Sequence, residues 1–163
     1  MDLAKAARDP WVWGQLVLFL LIGLGVPLLP RHVNLGDADS FLNRIDPDRI
    51  RWLGAPLMAA GGLVLAWGIR SLGKNLTPGT EPLSGAQLVT TGAYAHFRHP
   101  IYTGVVLLLA GYTLAWSNWT LGLVMGFIAL QYFQAKAGAE ERWLMERFPG
   151  YQAYMRHVPR RVL

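Results

Sequence analysis

Four apolar runs limit what this chain can become: Trp11–Leu29, Trp52–Ile69, Ile101–Trp116 and Trp119–Ala135. Each reaches or approaches the roughly 20 residues that a helix needs to cross a hydrocarbon core. Gln15 is the strongly polar interruption in the first of them. Apolar residues make up 53% of the 163 and charged residues 15%, where soluble domains carry roughly 25% charge. A water-soluble globule is therefore not the expected product. The 18 Gly, 10 Pro and 7 Trp agree, because small, kinking and interfacial aromatic residues are enriched in spanning helices. The expected fold class is all-α: an integral membrane helical bundle of about four transmembrane helices with a cytoplasmic C-terminal helical tail, in one domain over residues 1–163. The first run is too long for a signal-peptide core. Val26-Pro27-Leu28-Leu29-Pro30 follows it in place of a small-residue cleavage pattern, so it is expected to remain as a helix.

Polar segments separate the runs. Between Arg31 and Arg51, the charges of Asp37, Asp39, Asp46 and Asp48 alternate with basic ones and predict a solvated loop or a short surface helix. Arg70–Pro100 is a long connection with turns at Pro78-Gly79 and Ser84-Gly85, and connections of this length tend to carry function. Ser117-Asn118 joins the third and fourth runs and forces a tight antiparallel hairpin. After Lys136 the chain becomes a polar tail lying on the membrane surface. There Leu144, Phe148, Tyr151 and Tyr154 keep helical spacing across one break at Pro149-Gly150. Ala55, Ala59, Gly62 and Ala66 form a stripe along the second run, and Gly122/Gly126 a pair on the fourth. Both patterns let another helix approach closely, and neither reveals an oligomeric state.

Four crossings would put Lys5, Arg8, Arg70, Lys74, Arg98, Lys136, Arg142, Arg147, Arg156, Arg160 and Arg161 on one side, against Arg31, Arg44, Arg49 and Arg51 on the other. Both termini are then expected in the cytoplasm, with a bacterial inner membrane as the expected location. The net charge of +5 suits anionic headgroups, so the partners expected are membrane lipids and not nucleic acid. Without cysteine, and with four scattered His, the chain offers no metal-ligand constellation.

Two clusters that could carry chemistry share the cytoplasmic face. The first is the Thr90–Gly104 segment, which packs Tyr94, Arg98, His99 and Tyr102 around a helix start. Pro100 is preorganised for the first turn, and the unpaired N–H groups of such a start favour an anion. The plainer alternative is that these four side chains are headgroup anchors. The second cluster is Lys136, Glu140 and Glu141. Two adjacent carboxylates repel each other and are better placed beside a cation, and Lys136 is one helical turn from Glu140. For Glu141, with Arg142 and Glu146, the residues alone favour a solvated helix face. For Glu140, pointing back toward the bundle, a ligand role is expected.

Val89-Thr90-Thr91-Gly92-Ala93-Tyr94, Arg98-His99-Pro100-Ile101-Tyr102-Thr103-Gly104 and Glu140-Glu141 resemble the isoprenylcysteine carboxyl methyltransferase and phospholipid methyltransferase superfamily. Leu144, Phe148, Tyr151, Tyr154, Val158-Pro159 and the upstream Gly73-Lys74-Asn75-Leu76 fit the same pattern. The resemblance covers Arg70 to Arg160, and Met1 to Ile69 matches as hydrophobic spans alone. It implies an integral membrane enzyme that transfers a methyl group from S-adenosylmethionine to a lipophilic acceptor, from a pocket formed by about 88–104 and 136–160. Val89, Gly92, Tyr94, His99, Tyr102 and Glu140 would bind the cofactor and Glu141 would support it. Lys136, Arg98 and Tyr102 would serve the reaction. Lys136 stands where eukaryotic relatives have a substrate-binding arginine, and lysine lacks that bidentate fork.

A carboxylate or thiolate acceptor attacks without help, whereas an ammonium headgroup must first lose a proton, for which His99 or Tyr102 would be the base. An isoprenylcysteine-like carboxylate and a phospholipid amine are the acceptors to compare. The same Arg-His-Pro-x-Tyr-x-Gly region also resembles NADPH-dependent sterol-type reductases, and a non-catalytic helical membrane protein is the third reading.

Overall fold

The computed structural model describes residues 7–28, 50–77, 79–81, 84–116 and 119–163. The expected loop between Arg31 and Arg51, Pro78 and the Ser117-Asn118 turn lie outside or largely outside these residues. Five α-helices run through them: α1 (Pro10–Leu20), α2 (Gly54–Leu72), α3 (Pro100–Trp116), α4 (Trp119–Arg147) and α5 (Tyr151–His157). Asp9 caps α1, its Oδ1 accepting from Trp11 N at 2.9 Å, with Pro10 filling the first helical position, where no N–H is needed. α1 continues as a π-helical turn, Leu21–Gly25, and a 3-10 turn, Val26–Leu28.

Pro10–Leu28 and Arg51–Asn75 are long and apolar enough to cross a membrane, and Pro100–Trp116 is a shorter apolar helix. Their outer faces leave large apolar side chains uncovered, among them Leu21 (65% exposed), Leu28 (84%) and Leu63 (74%). Exposed apolar surface on this scale marks a region that lipid or another partner covers.

α2 and α3 pack antiparallel at glycine-to-glycine distance. A Cβ on Gly61 would lie 2.6 Å from Leu108 N, one on Gly104 2.5 Å from Leu65 N, and one on Gly111 2.7 Å from Gly54 O. The contact stripe is thus Gly54, Gly61 and Gly68, not the expected Ala55, Ala59, Gly62 and Ala66. Of the latter, the alanines are exposed and Gly62 has nothing within 4 Å of an added Cβ. The Gly122/Gly126 pair is used inside the chain, against Leu114 and Ala110 of α3.

The fourth apolar run and the start of the expected polar tail are one helix. Between Ala135 and Arg147 the residues are mostly strong helix formers, so α4 passes through Lys136 without a break and stops just before Pro149-Gly150. Leu18, Ile22 and Val26 of the first helical segment bury themselves against Val106, Ala129, Phe133, Ala137 and Val162. A second small core joins Tyr151, Tyr154 and Val158 to Leu88, Leu144 and Phe148. The C-terminal stretch is pinned beneath α3: Arg98 N donates to Arg160 O and His99 N to Arg161 O, each at 2.9 Å, and Thr103 Oγ1 donates to Val162 O.

Candidate active site

The cavity at this end of the bundle holds about 790 Å³ of empty space, counting its open mouth. Its floor is Tyr102 at the start of α3 with Tyr94, Arg98 and His99 just ahead of it; one wall is Glu140 and Leu144 of α4, Phe148 just past its end, and Tyr151 and Tyr154 of α5. The opposite wall is the connection after α2, from Leu72 through Asn75, Leu76 and Thr77 to Ala86–Val89. The two ends of that connection are clipped together, Asn75 Nδ2 donating to Gln87 O at 3.1 Å. Its middle is tied to α1, where Asp9 Oδ2 accepts from Thr80 N at 2.7 Å and Thr80 Oγ1 at 2.9 Å.

His99 stands between two carboxylates. Its Nδ1 is 3.4 Å from Glu140 Oε2 and its Nε2 3.3 Å from Glu141 Oε1. Burial opposes protonation of this ring, but the hydrogen bonds and charges of Glu140 and Glu141 outweigh it and raise its pKa above 6.5. An imidazole can donate to an acceptor on each nitrogen only in its protonated form, which is the form this pair of carboxylates favours. Its ring stacks on that of Tyr102, with centroids 5.3 Å apart, and Tyr102 Oη donates to Glu140 Oε2 at 2.8 Å. Glu140 is therefore aimed by two donors while its side chain stays 24% exposed.

Glu141 lies behind this layer, and the expected solvated face is corrected: its side chain is 2% exposed. Arg98 Nε donates to its Oε1 at 2.7 Å, and Arg161 Nη2 lies 2.8 Å from its Oε2. Burial works against the charge, yet donors from His99 and Arg98 prevail and hold this carboxyl at about 2. Arg98 also donates to Val158 O and Pro159 O, both at 2.8 Å. The headgroup-anchor alternative fails for Arg98 and His99, which are 8% and 5% exposed.

Of the residues expected from the sequence, Val89, Tyr94, Arg98, His99, Tyr102 and Glu140 line the cavity; Gly92, Glu141 and Lys136 are not among its lining residues. Gly92 shapes the approach: at φ +64° it turns the chain, and a Cβ there would sit 2.5 Å from Ser71 Oγ, which accepts from Ala93 N. Lys136 faces α1, its Nζ donating to Gln15 Oε1 at 2.6 Å and lying 5.4 Å from the Tyr102 ring centroid. The sequence reading passed over Thr77, Gln87 and the Asp9–Thr80 tie. Asn75 sits in the Gly73–Leu76 pattern already noted, but an exposed-looking polar loop gives no sign of which side chains turn inward.

A family model described as phospholipid methyltransferase matches residues 50–150, from just ahead of α2 to the Pro149-Gly150 break. The chain belongs to the phospholipid methyltransferase family. The match extends the likeness through α2, upstream of where the motifs begin, and leaves α1 and the C-terminal stretch outside. The chain is also similar to the protein-S-isoprenylcysteine O-methyltransferase of Schizosaccharomyces pombe (strain 972 / ATCC 24843), at 32% identity over 73 residues. That stretch is 44% of this chain and 31% of the relative, so the chain covers well under half of that protein's length.

Proposed function

We propose that this member of the family transfers a methyl group from S-adenosylmethionine to a lipophilic carboxylate at the membrane face. The observation that carries the reading is the Glu140–His99 pair on the lining of the cavity, backed by the buried Glu141. A carboxylate about a quarter exposed, held by Tyr102 and His99 at a hollow with apolar walls, suits a ligand that joins a cationic centre to a flat apolar group. Leu76, Leu88, Leu144 and Phe148 offer the apolar walls, and Asn75, Thr77 and Gln87 offer polar edges. S-adenosylmethionine fits that description and supplies, when bound, an electrophilic methyl on a positive sulfur.

The acceptor class follows from protonation. A carboxylate oxygen forms its bond to the methyl carbon as the S–CH3 bond breaks, the electron pair stays on sulfur, and no proton moves. An amine acceptor needs a base. His99 has a carboxylate against each ring nitrogen, Glu140 at 3.4 Å and Glu141 at 3.3 Å, and so is occupied in aiming Glu140 and not placed to take that proton. The isoprenylcysteine O-methyltransferase relative supports the carboxylate, and the family description favours a phospholipid amine as the second reading, for which Glu140 would have to accept the proton. Four membrane crossings, with α4 as the last, complete this picture, and both termini lie on the cytoplasmic side in it.

Lys136 is the group we assign to the acceptor. It precedes Glu140 by four residues, about 6 Å nearer the apolar part of α4. Replacing it with alanine should depress turnover more than affinity for S-adenosylhomocysteine; the reverse order would remove Lys136 from this role. Membranes with and without the protein, incubated with methyl-labelled S-adenosylmethionine, identify the acceptor. Label in a base-labile methyl ester is the expected outcome, and label on a phospholipid amine would favour the second reading.

A further inference from the structure

We propose that Arg161, in the stretch that follows α5, is a positioning residue that holds His99 in place and through it aims the ligand-facing carboxylate of Glu140. The proposal rests on the reading of Glu140 and His99 as cofactor-binding groups, and it gives a role to a residue outside the 50–150 matched by the family. The stretch has neither helix nor strand, yet each of its carbonyls from Val158 to Val162 has a donor. Val158 O and Pro159 O accept from Arg98 Nη1, Arg160 O from Arg98 N, Arg161 O from His99 N and Val162 O from Thr103 Oγ1. Successive carbonyls are thus spent on one short segment that lies far earlier in the sequence. Burial seats both ends of the stretch: Val158 packs with Tyr151 and Tyr154, and Val162 among Leu18, Ile22 and Phe133.

Arg161 grips His99 at two points. Its carbonyl fixes the backbone, 2.9 Å from His99 N, and its guanidinium fixes the ring through Glu141. Nη2 lies 2.8 Å from Glu141 Oε2, while Oε1 of the same carboxylate faces Arg98 Nε at 2.7 Å and His99 Nε2 at 3.3 Å. Arg98 and His99 share one oxygen, so Arg161 is the group that holds the other. The charges give the grip a second effect. Glu140 and Glu141 of α4 face the ring, and Arg98 and Arg161 offset them. Lys136 lies 5.4 Å from the centre of the Tyr102 ring and among the charges of Glu140 and Asp9, and the phenols of Tyr94, Tyr102 and Tyr151 nearby are neutral around pH 7. Removing Arg161 takes away one of the offsetting cations, so His99 keeps its proton to higher pH. Loss of that proton leaves the ring one donor for two carboxylates, and the affinity of the cavity for its ligand then declines.

The test is calorimetric titration of S-adenosylhomocysteine into the full chain in detergent, across neutral and alkaline pH, with melting curves alongside. Arg161→Ala should weaken binding roughly tenfold at neutral pH, the scale of one lost charge-assisted hydrogen bond, and move the alkaline decline of affinity to higher pH. Arg161→Lys keeps the charge, so it should recover much of the affinity and leave the decline where wild type has it. Arg161→Gln keeps a donor without the charge and should show the displaced decline. Arg156→Ala removes an exposed arginine of α5 and should bind like wild type. Wild-type affinity in Arg161→Ala, or an equal loss in Arg156→Ala, would overturn the proposal. So would a loss in Arg161→Ala that lysine does not relieve and that leaves the pH of decline unmoved, the mark of a merely structural role. If Arg161→Ala does not melt cooperatively, the lysine and glutamine variants decide by the same two readouts. Glu140→Gln and His99→Ala separate the levels. If they weaken binding while the Arg161 variants do not, Arg161 alone loses its role; if they bind like wild type, or wild type does not bind, the reading of the cavity falls and the role of Arg161 with it.

Discussion

Glu141 shows how one side chain can serve a site it does not line. Its carboxylate gathers Arg98, His99 and Arg161, and thereby ties the start of α3 and the C-terminal stretch to α4. Because its pKa falls from 4.5 to about 2 on folding, its stabilisation is present above pH 4.5 and is lost as the pH drops toward 2. His99 has the opposite sign: its contribution is complete below 6.5 and disappears as the pH rises through its raised value. Glu141→Gln should lower the stability of the solubilised protein by on the order of 3 kcal/mol at neutral pH and flatten the acid limb of a melting-temperature profile. An unchanged acid limb would contradict the assignment. Tyr151 makes a contrasting case, since its hydroxyl is buried without a hydrogen-bond partner among the described residues. Tyr151→Phe should therefore leave the melting temperature equal or higher. The pair Glu140-Glu141 was legible in the sequence as a candidate, but the division of labour was not. Adjacent residues on a helix point about 100° apart, and only the packing of α3 decides which one faces the cavity.

At the scale of elements, the α2–α3 pair carries the sharpest expectation. Gly61→Val places atoms where Leu108 N and Gly104 O already lie and should unfold the protein or cost about 3 kcal/mol, whereas Gly62→Ala meets nothing and should be neutral or stabilising by up to ~1 kcal/mol. Melting curves of the two variants decide it, and similar behaviour would contradict the packing. The existence of these helices could be read from hydropathy, because burial in lipid demands it. The interacting face could not, because α2 carries small residues on two stripes. The selection comes from α3, whose Gly104 and Gly111 share the seven-residue interval of Gly54, Gly61 and Gly68. The loop wall of the cavity was hidden for a related reason: its position depends on Asp9, a residue distant in sequence that reads locally as a helix cap. Asp9→Ala should loosen that wall and weaken S-adenosylhomocysteine binding several-fold beyond its effect on melting, measured by calorimetry.

At the scale of the whole molecule, the described residues divide between an apolar exterior and a polar end that holds the cavity. Trp13, Leu16, Leu20 and Leu24 of the first helical segment and Leu123 and Phe127 of α4 present uncovered surface, while the buried charges collect where α3, α4 and the C-terminal stretch meet. In the proposed function, that division lets a lipid-tailed acceptor and a polar donor approach one point from different phases. Calorimetric titration of the detergent-solubilised protein with S-adenosylhomocysteine tests it most directly. Saturable binding to wild type is expected, weakened at least roughly tenfold in both Glu140→Gln and His99→Ala while each variant still melts cooperatively. Absence of binding to the wild-type protein, or wild-type affinity in both variants, would contradict it.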